Sequence, residues 1–402
     1  MYRTFHKLPF AIAFVSLSFS SLLVTSESWA DHTIYLRDSN TIPSYCQQDG
    51  DWCGAAVGQM ILEGYPAAEH PFPQPDIWQK IESNRDDSAV AWLTDPEGLQ
   101  QTLMQLGGDP NVNWGVLKST DASRLMHSIG YWMTKNRFPV AAMVDPTGAS
   151  IYGSFQHWVV IEGFATDLDP VTNEVTELKS IDIVNPAPPC GTDINRGGIR
   201  STVDSATWYG FYWRVPGNYL GSKWDKNYVA VVEPPLTSGV SKAPKKALME
   251  KGSVISENKA IEFALKWLKT FSFENKYPVL KNVEVSNALL VNENFRGYYL
   301  VPLADKSKKE NVGAIIVNAY NGDFEEIGVF QHPIVFLDDK AAIQIAIKEC
   351  ECGEFKSTRL VVHPRLRSQS RYIPIWKISF EFRNVYVSQT GTVIQPSLGP
   401  GD

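Results

Sequence analysis

The chain has 402 residues, of which 44% are hydrophobic and 20% charged, and its formal net charge is −7 at pH 7. This is the composition of a globular protein that is long enough for two or more domains, each with its own core. A mildly acidic balance gives no reason to expect a nucleic-acid partner.

The first thirty residues have the pattern of a cleavable secretory signal. Arg3 and Lys7 precede the apolar run 8–24, and the small residues Ser28 and Ala30 stand at positions −3 and −1 of a cut before residue 31. An uncleaved anchor is the alternative, because the run is near the lower length limit for spanning a membrane. We expect cleavage after Ala30, a periplasmic or secreted mature protein and no further membrane association.

Export permits disulfides, and the odd number of cysteines predicts at least one free thiol. Cys350 and Cys352 are too closely spaced for an unstrained bridge within the pair and form only a weak metal signal. For the first domain, a bond between Cys46 and Cys190 is the simplest expectation, and a bond between Cys53 and Cys190 is the alternative.

Helix signals come first in the exported chain, and strand signals follow, which favours an α+β class. The helix that starts at Cys53 ends near Gly64, and Asp121 is the expected N-cap of a later helix. The predicted helices cover about 53–62, 75–84, 96–106 and 122–135, and the predicted strands cover 139–144, 157–164, 177–184 and 210–215.

A segment rich in Pro, Gly, Ser and Lys follows, and a faint internal repeat lies beyond it. Each unit of the repeat has one amphipathic helix and an antiparallel meander, with hairpin turns predicted at Asn321-Gly322 and Thr390-Gly391. The predicted organisation is a signal peptide at 1–30, a first domain at 31–235, a linker at 236–252 and two units at 253–335 and 336–402.

The motifs of serine hydrolases, zinc peptidases and phosphate-binding loops are absent from the sequence, so we expect no cofactor and no metal. The residue types that catalysis by a thiol nucleophile requires are all present. Cys53 begins a helix, where the free N–H groups favour a thiolate and are expected to lower its pKa. Gln47, six residues earlier, could complete an oxyanion hole with the Cys53 N–H, and Gln48 is its competitor.

His157 begins an apolar strand and is the expected base, since it is held on a rigid element. Asn185 ends the next strand and could orient the imidazole. Asp182 is the alternative, although it should point to the other face of the strand.

The order Gln47, Cys53, His157, Asn185 resembles that of papain-like cysteine peptidases, and most closely the branch typified by the bacteriocin leader-processing peptidases. The matching motifs are Cys-Gly-Ala-Ala from Cys53, His-Trp-Val-Val from His157 and the dipeptide Asn185-Pro186. Trp52 stands where that branch usually has Asp, and Asn185 also replaces an Asp. The resemblance implies a papain-like fold, a Cys-His-Asn triad and a peptide or protein substrate.

The C-terminal half is similar to PepSY domains, through the segments RLVVHP, YIPIWKISF and VYVSQTGTVI. This resemblance implies an inhibitory, docking or substrate-presenting role, and an intramolecular contact with the peptidase domain. Two alternatives to peptide hydrolysis stay open. One is acyl transfer from the same thioester to an amine, and the other is an inactive binding or inhibitory protein that acts through the repeats.

Overall fold

The fold is described from a computed structural model of the chain. The structure describes residues 32–36, 42–64, 71–87, 94–107, 113–144, 157–187, 190, 197–214, 222–232, 237–243, 252–285, 287–292, 297–350, 352–362 and 370–394. The predicted signal segment and its cleavage site lie outside these residues. Within the described part of the chain, no helix is long and apolar enough to cross a membrane.

Four helices pack against the first sheet or against one another. Capping by side chains fixes two of their starts: Asp95 accepts a hydrogen bond from the N–H of Gly98, and Asp121 accepts from those of Ser123 and Arg124, as predicted for that cap. The helices are α1 (Cys53–Gly64), α2 (Gln74–Ser83), α3 (Pro96–Leu106) and α4 (Ala122–Asn136).

The first half of the chain builds an antiparallel sheet in the order β2-β7-β3-β4-β5-β6, with β1 alongside β4. Strand β4 is buried along its whole length, in keeping with its mostly apolar sequence, and its buried Glu162 forms an ion pair with Arg200. The strands are β1 (His32–Tyr35), β2 (Gly115–Ser119), β3 (Val140–Val144), β4 (His157–Thr166), β5 (Val175–Asn185), β6 (Ile199–Asp204) and β7 (Tyr228–Val232).

The predicted strand at 210–215 is wrong. Residues Trp208–Tyr212 form a π-helical turn, which continues the short helix α5 (Ser205–Thr207) that Asp204 caps. The rings of Trp208 and Tyr212 stack within this turn, with centroids 5.6 Å apart. Trp208, Phe211 and Tyr212 are buried, and a short apolar run of this kind does not distinguish a helical turn from a buried strand.

Part of the predicted linker is a strand. β8 (Val240–Lys242) runs parallel to the start of β5, and the N–H of Val240 donates to the carbonyl of Glu174 at 2.8 Å. The hydroxyl of Tyr209 donates to the carbonyl of Ser241 at 2.6 Å. This segment is therefore held against the first domain.

In each of the two predicted units of the second half, a helix precedes antiparallel strands, and the first unit has an additional short helix. The predicted turns occur at Gly322 and Gly391, whose φ angles are +76° and +79°. The first unit contains α6 (Glu257–Phe271), α7 (Phe273–Lys276), a 3-10 turn at Pro278–Asn282, β9 (Val283–Val285), β10 (Leu289–Asn292), β11 (Gly297–Asp305), β12 (Asn311–Asn318) and β13 (Phe324–Ile334). The second contains α8 (Asp339–Glu349), β14 (Phe355–Val361), β15 (Ile375–Phe380), β16 (Asn384–Val387) and β17 (Val393–Ile394).

Strand pairing connects the sheets of the first domain and of the two C-terminal units. β13 of the first unit pairs antiparallel with β6 of the first domain, and β10 pairs in parallel with β14 of the second unit. A hydrogen bond from the Tyr212 hydroxyl to Glu326 crosses the same boundary between first domain and first unit. The helices and this large mixed sheet are consistent with the expected α+β class.

The cysteines follow the expectation in one case and depart from it in another. Cys46 and Cys190 form a disulfide across 144 residues of sequence, as predicted. Cys350 and Cys352 are also joined, although their close spacing was expected to disfavour an unstrained bridge. Cys53 is buried and is the one cysteine without a disulfide.

Candidate active site

Cys53 is the first residue of α1. Its side chain is 6% exposed, and α1 packs against β4. The backbone N–H of Trp158, the second residue of β4, lies within hydrogen-bonding range of the thiol. The next residue, Gly54, allows Thr94 to pack closely against the start of α1, because a Cβ at position 54 would clash with the side chain of Thr94. The free thiol is thus held next to the start of the strand that carries His157.

His157 and Asn185 are in direct contact. The His157 Nε2 atom lies 2.8 Å from the Asn185 Oδ1 atom, and both side chains are buried. The adjacent strands β4 and β5 carry the two residues, which are 28 positions apart in sequence. This contact joins the predicted base to the predicted orienting residue.

The hydrogen bonds around Asn185 define the tautomer of His157. The N–H of Ala187 donates to the same Oδ1 atom at 2.8 Å, so this atom is the amide oxygen and can only accept. The His157 Nε2 atom must therefore carry a proton. The Nδ1 atom is then the basic nitrogen of the neutral ring, and it is buried without a hydrogen-bond partner in the described part of the chain.

Burial determines the charge states of His157 and Cys53 in the resting protein. It lowers the pKa of His157 to about 4, and the hydrogen bond with Asn185 opposes this effect. It raises the pKa of Cys53 to about 11, although the N–H groups of Trp158 and Gly54 act in the other direction. The helix N-terminus was expected to lower this pKa, but desolvation of the thiolate is the larger effect. The resting site holds a neutral thiol and a neutral imidazole.

The backbone of Gln47 is tied to the chain that follows Asn185. Its N–H donates to the carbonyl of Pro186 at 2.9 Å, and its carbonyl accepts from the N–H of Cys190 at 2.8 Å. The disulfide between Cys46 and Cys190 reinforces the same connection. The segment that leads into Cys53 and the segment that follows Asn185 are therefore held together.

The side chain of Gln47 is fully buried and does not present a free N–H group. Its Nε2 atom donates to the carbonyls of Asp49 and Gly50 at 2.9 and 2.7 Å, which occupies both hydrogens. Its Oε1 atom has no hydrogen-bond partner among the described residues. Gln48, the competing candidate, is partly exposed, and its backbone N–H donates to Gln74.

Asp182 is not a neighbour of the imidazole in the hydrogen-bond network. Its carboxylate accepts hydrogen bonds from Thr202 Oγ1 at 2.7 Å and from the ammonium group of Lys276. This places Asp182 in a contact between the first domain and the first C-terminal unit. Asn185, and not Asp182, is the residue that contacts His157.

Three tryptophans near the candidate residues, Trp52, Trp114 and Trp158, have different environments. Trp114 and Trp158 are buried in the core of the first domain. Trp52 is partly exposed and stacks on Trp78 of α2, with ring centroids 6.1 Å apart. Trp52 alone could form part of a surface near Cys53.

The structure adds one residue that the sequence analysis missed. Gln74 is 2% exposed, and its side-chain amide contacts the backbone on both sides of Gln47. A signal is present in the sequence, because positions 74, 77 and 81 fall on one helix face, and Ile77 and Ile81 are core residues. A polar residue on that face predicts a buried side chain with specific partners.

No family model matches the chain, and no curated protein is similar to it. Among solved structures, a putative lipoprotein from Clostridium difficile 630 is 18% identical over 32% of this chain and 88% of its own, with a TM-score of 0.15. A similarity of this extent carries no argument about fold or function. Within the described residues, no group of three or more His, Cys, Asp or Glu side chains could hold a metal ion.

Proposed function

We propose that the protein is an exported papain-like cysteine peptidase with Cys53 as nucleophile, His157 as base and Asn185 as the orienting residue. The observation that carries the proposal is the buried contact of 2.8 Å between His157 and Asn185. The basic Nδ1 atom has no hydrogen-bond partner among the described residues, and the next residue of the strand, Trp158, contacts the free thiol. The disulfide between Cys46 and Cys190 supports export, because such bonds persist in oxidising compartments.

In the proposed reaction, His157 Nδ1 takes the proton of Cys53, and the sulfur attacks the carbonyl carbon of a peptide bond. The oxyanion accepts hydrogen bonds from the Cys53 N–H and from Gln47. The imidazolium gives its proton to the leaving amine as the C–N bond breaks. Water then hydrolyses the thioester, with His157 as general base, which restores the thiol.

Gln47 must release one of its two present acceptors to serve this reaction. A negatively charged oxygen is a stronger acceptor than a backbone carbonyl, so the oxyanion can compete for one hydrogen of the amide. The bond to Asp49 is the longer of the two, at 2.9 Å, and is the one we expect to be exchanged.

The test is hydrolysis of a mixture of fluorogenic peptides by the full-length mature protein. We expect activity in the wild type and a loss of at least about 10³-fold in Cys53→Ala and in His157→Ala, because these residues act as a unit. His332→Ala, on an exposed side chain, is the matched control and should keep full activity. Full activity of Cys53→Ala would exclude the proposal, and amide-linked products in mass spectra would indicate acyl transfer.

A second candidate function is an inactive binding protein that acts through the C-terminal units. The burial of the thiol and its pKa of about 11 favour this alternative. Iodoacetamide labelling at pH 6 distinguishes the two. The peptidase predicts that Cys53 reacts faster in the wild type than in His157→Ala, whereas the binding protein predicts equal and slow labelling.

A further inference from the structure

A buried glutamine on α2 clamps the backbone that carries Gln47. The Gln74 Nε2 atom donates to the carbonyl of Cys46 at 2.8 Å, and its Oε1 atom accepts from the N–H of Gln48 at 2.8 Å. A side-chain amide with one donor and one acceptor in this arrangement pairs with the segment 46–48 as a neighbouring strand would. The side chain itself is 2% exposed.

The opposite edge of the same segment is also paired. Gln47 donates its N–H to Pro186 and accepts at its carbonyl from Cys190. Successive backbone groups of an extended chain point to alternate sides, so the segment 46–48 has the Gln74 amide on one side and the chain after Asn185 on the other. Both contacts at Gln74 replace water at buried backbone groups that would otherwise lack partners.

Gln74 is in turn fixed by α1. Its Nε2 atom is 3.2 Å from the Oε1 atom of Gln59, and Gln59 donates to Glu63 at 2.9 Å. Glu63 accepts from the hydroxyl of Tyr45, the residue that precedes the clamped segment. This chain of hydrogen bonds connects the segment to the helix that begins with Cys53, so the position of Gln47 is tied to that of the nucleophile.

We propose that Gln74 is a positioning residue for the oxyanion hole, which holds Gln47 in register with Cys53. The inference rests on the proposed peptidase function, and it assigns Gln74 no contact with the substrate. The amide acts on the step in which Gln47 donates to the oxyanion, and has no part in the reactivity of the thiol itself. This separation makes the assignment testable.

The variant Gln74→Met keeps the length of the side chain and removes both backbone contacts. We expect kcat for a fluorogenic peptide to fall by about 10- to 100-fold, with KM within about twofold of the wild type, because a displaced oxyanion donor affects the transition state alone. Alkylation of Cys53 by iodoacetamide uses no oxyanion hole, so its rate should stay within about twofold. Gln79→Met, on the exposed side of α2, is the matched control.

A double-variant cycle tests whether Gln74 acts through Gln47. In a Gln47→Ala background, Gln74→Met should lower kcat by less than about twofold, because the donor it positions is already absent. If Gln74→Met does not fold, Gln74→Glu replaces it, since the carboxylate keeps the acceptor for Gln48 and removes the donor for Cys46.

Each outcome decides the assignment. A kcat of Gln74→Met equal to that of Gln79→Met overturns it, and so does a parallel loss of the alkylation rate, which would show a structural role at the nucleophile. Additive losses in the double variant overturn the route through Gln47. Absence of peptidase activity in the wild type, measured first, is a failure of the proposed function and overturns the assignment with it. In an active wild type, a loss of kcat with an unchanged rate of alkylation supports the assignment of Gln74.

Discussion

The imidazole of His157 is held neutral inside the protein by burial, and by a hydrogen bond that leaves its Nδ1 atom basic. Asn185 can only accept at the atom that faces the ring, because Ala187 donates to the same oxygen. Two adjacent strands and one backbone N–H group are sufficient to select the tautomer. An imidazole in this state starts uncharged and gains charge only when a proton moves to it.

The stability of the protein should depend on pH through His157. Its pKa is about 4 in the native protein and 6.5 ordinarily, so the unfolded chain binds a proton between these values while the native protein does not. The free energy of unfolding should therefore fall as the pH decreases from 6.5 to 4, by about 1 kcal/mol per pH unit from this group. Urea titrations at several pH values should show a shallower fall in His157→Gln. If the free energy of unfolding falls equally with pH in His157→Gln and in the control His332→Gln, this role of His157 is contradicted.

Replacing Asn185 by Asp tests the orienting contact. The acceptor atom is kept, and the added negative charge favours the imidazolium, so the pKa of His157 should rise. NMR titration of the imidazole ring should show that the pKa of His157 is higher by at least one unit. The acid limb of the pH–rate profile should move to higher pH as well. An unchanged titration would show that the two side chains are not in contact in solution.

At the scale of elements, the segment 46–48 depends on one long-range disulfide. Closing a loop of 144 residues restricts the unfolded chain far more than closing one of two residues. The double variant Cys46→Ser/Cys190→Ser should lose about 2–5 kcal/mol of unfolding free energy and most of its activity. Cys350→Ser/Cys352→Ser is the matched control and should lose much less. Equal losses in urea titrations of the two variants would contradict this account.

Local signals were sufficient for many of the elements. The start of α1 at Cys53, the Asp121 cap and the glycine turns at 322 and 391 each follow from residues within a few positions. The π-helical turn at Trp208–Tyr212 was missed because a short apolar run with three buried aromatic residues is equally typical of a buried strand. The pairing of β6 with β13 could not be predicted, since contacts between distant strands leave no local pattern.

Part of the candidate site was also predictable from the sequence. Order and spacing singled out Cys53, His157 and Asn185, and the structure places the last two in contact. The engagement of Gln47 with Asp49 and Gly50 depends on the loop conformation, which spacing does not define. The raised pKa of Cys53 depends on burial by distant elements, so a helix start alone gave the wrong direction.

At the scale of the whole molecule, buried charges join the C-terminal units to the first domain. The guanidinium of Arg371 is fully buried, forms an ion pair with Glu325 and lies over the rings of Phe211 and Tyr298. Phe211 belongs to the π-helical turn of the first domain. Together with the continuous sheet, this contact predicts that the three parts unfold together.

Removing this buried cation should destabilise the entire protein. Arg371→Met leaves the carboxylate of Glu325 buried without its counter-charge, which should cost about 3–5 kcal/mol. Calorimetry should show one transition that moves to lower temperature as a whole. Arg359→Met, on an exposed side chain, should leave the transition within about 1 °C. Two separate transitions in Arg371→Met, with that of the first domain unmoved, would contradict the coupling.

The most direct test of the account is covalent labelling of Cys53 by a peptidyl acyloxymethyl ketone at pH 6.5, followed by peptide mass spectrometry. The thiol becomes reactive in the native site only if His157 takes its proton. We predict modification at Cys53 that is at least about 100-fold faster in the wild type than in His157→Ala. Equal rates in the two proteins would contradict the assignment of Cys53 and His157 as a catalytic pair.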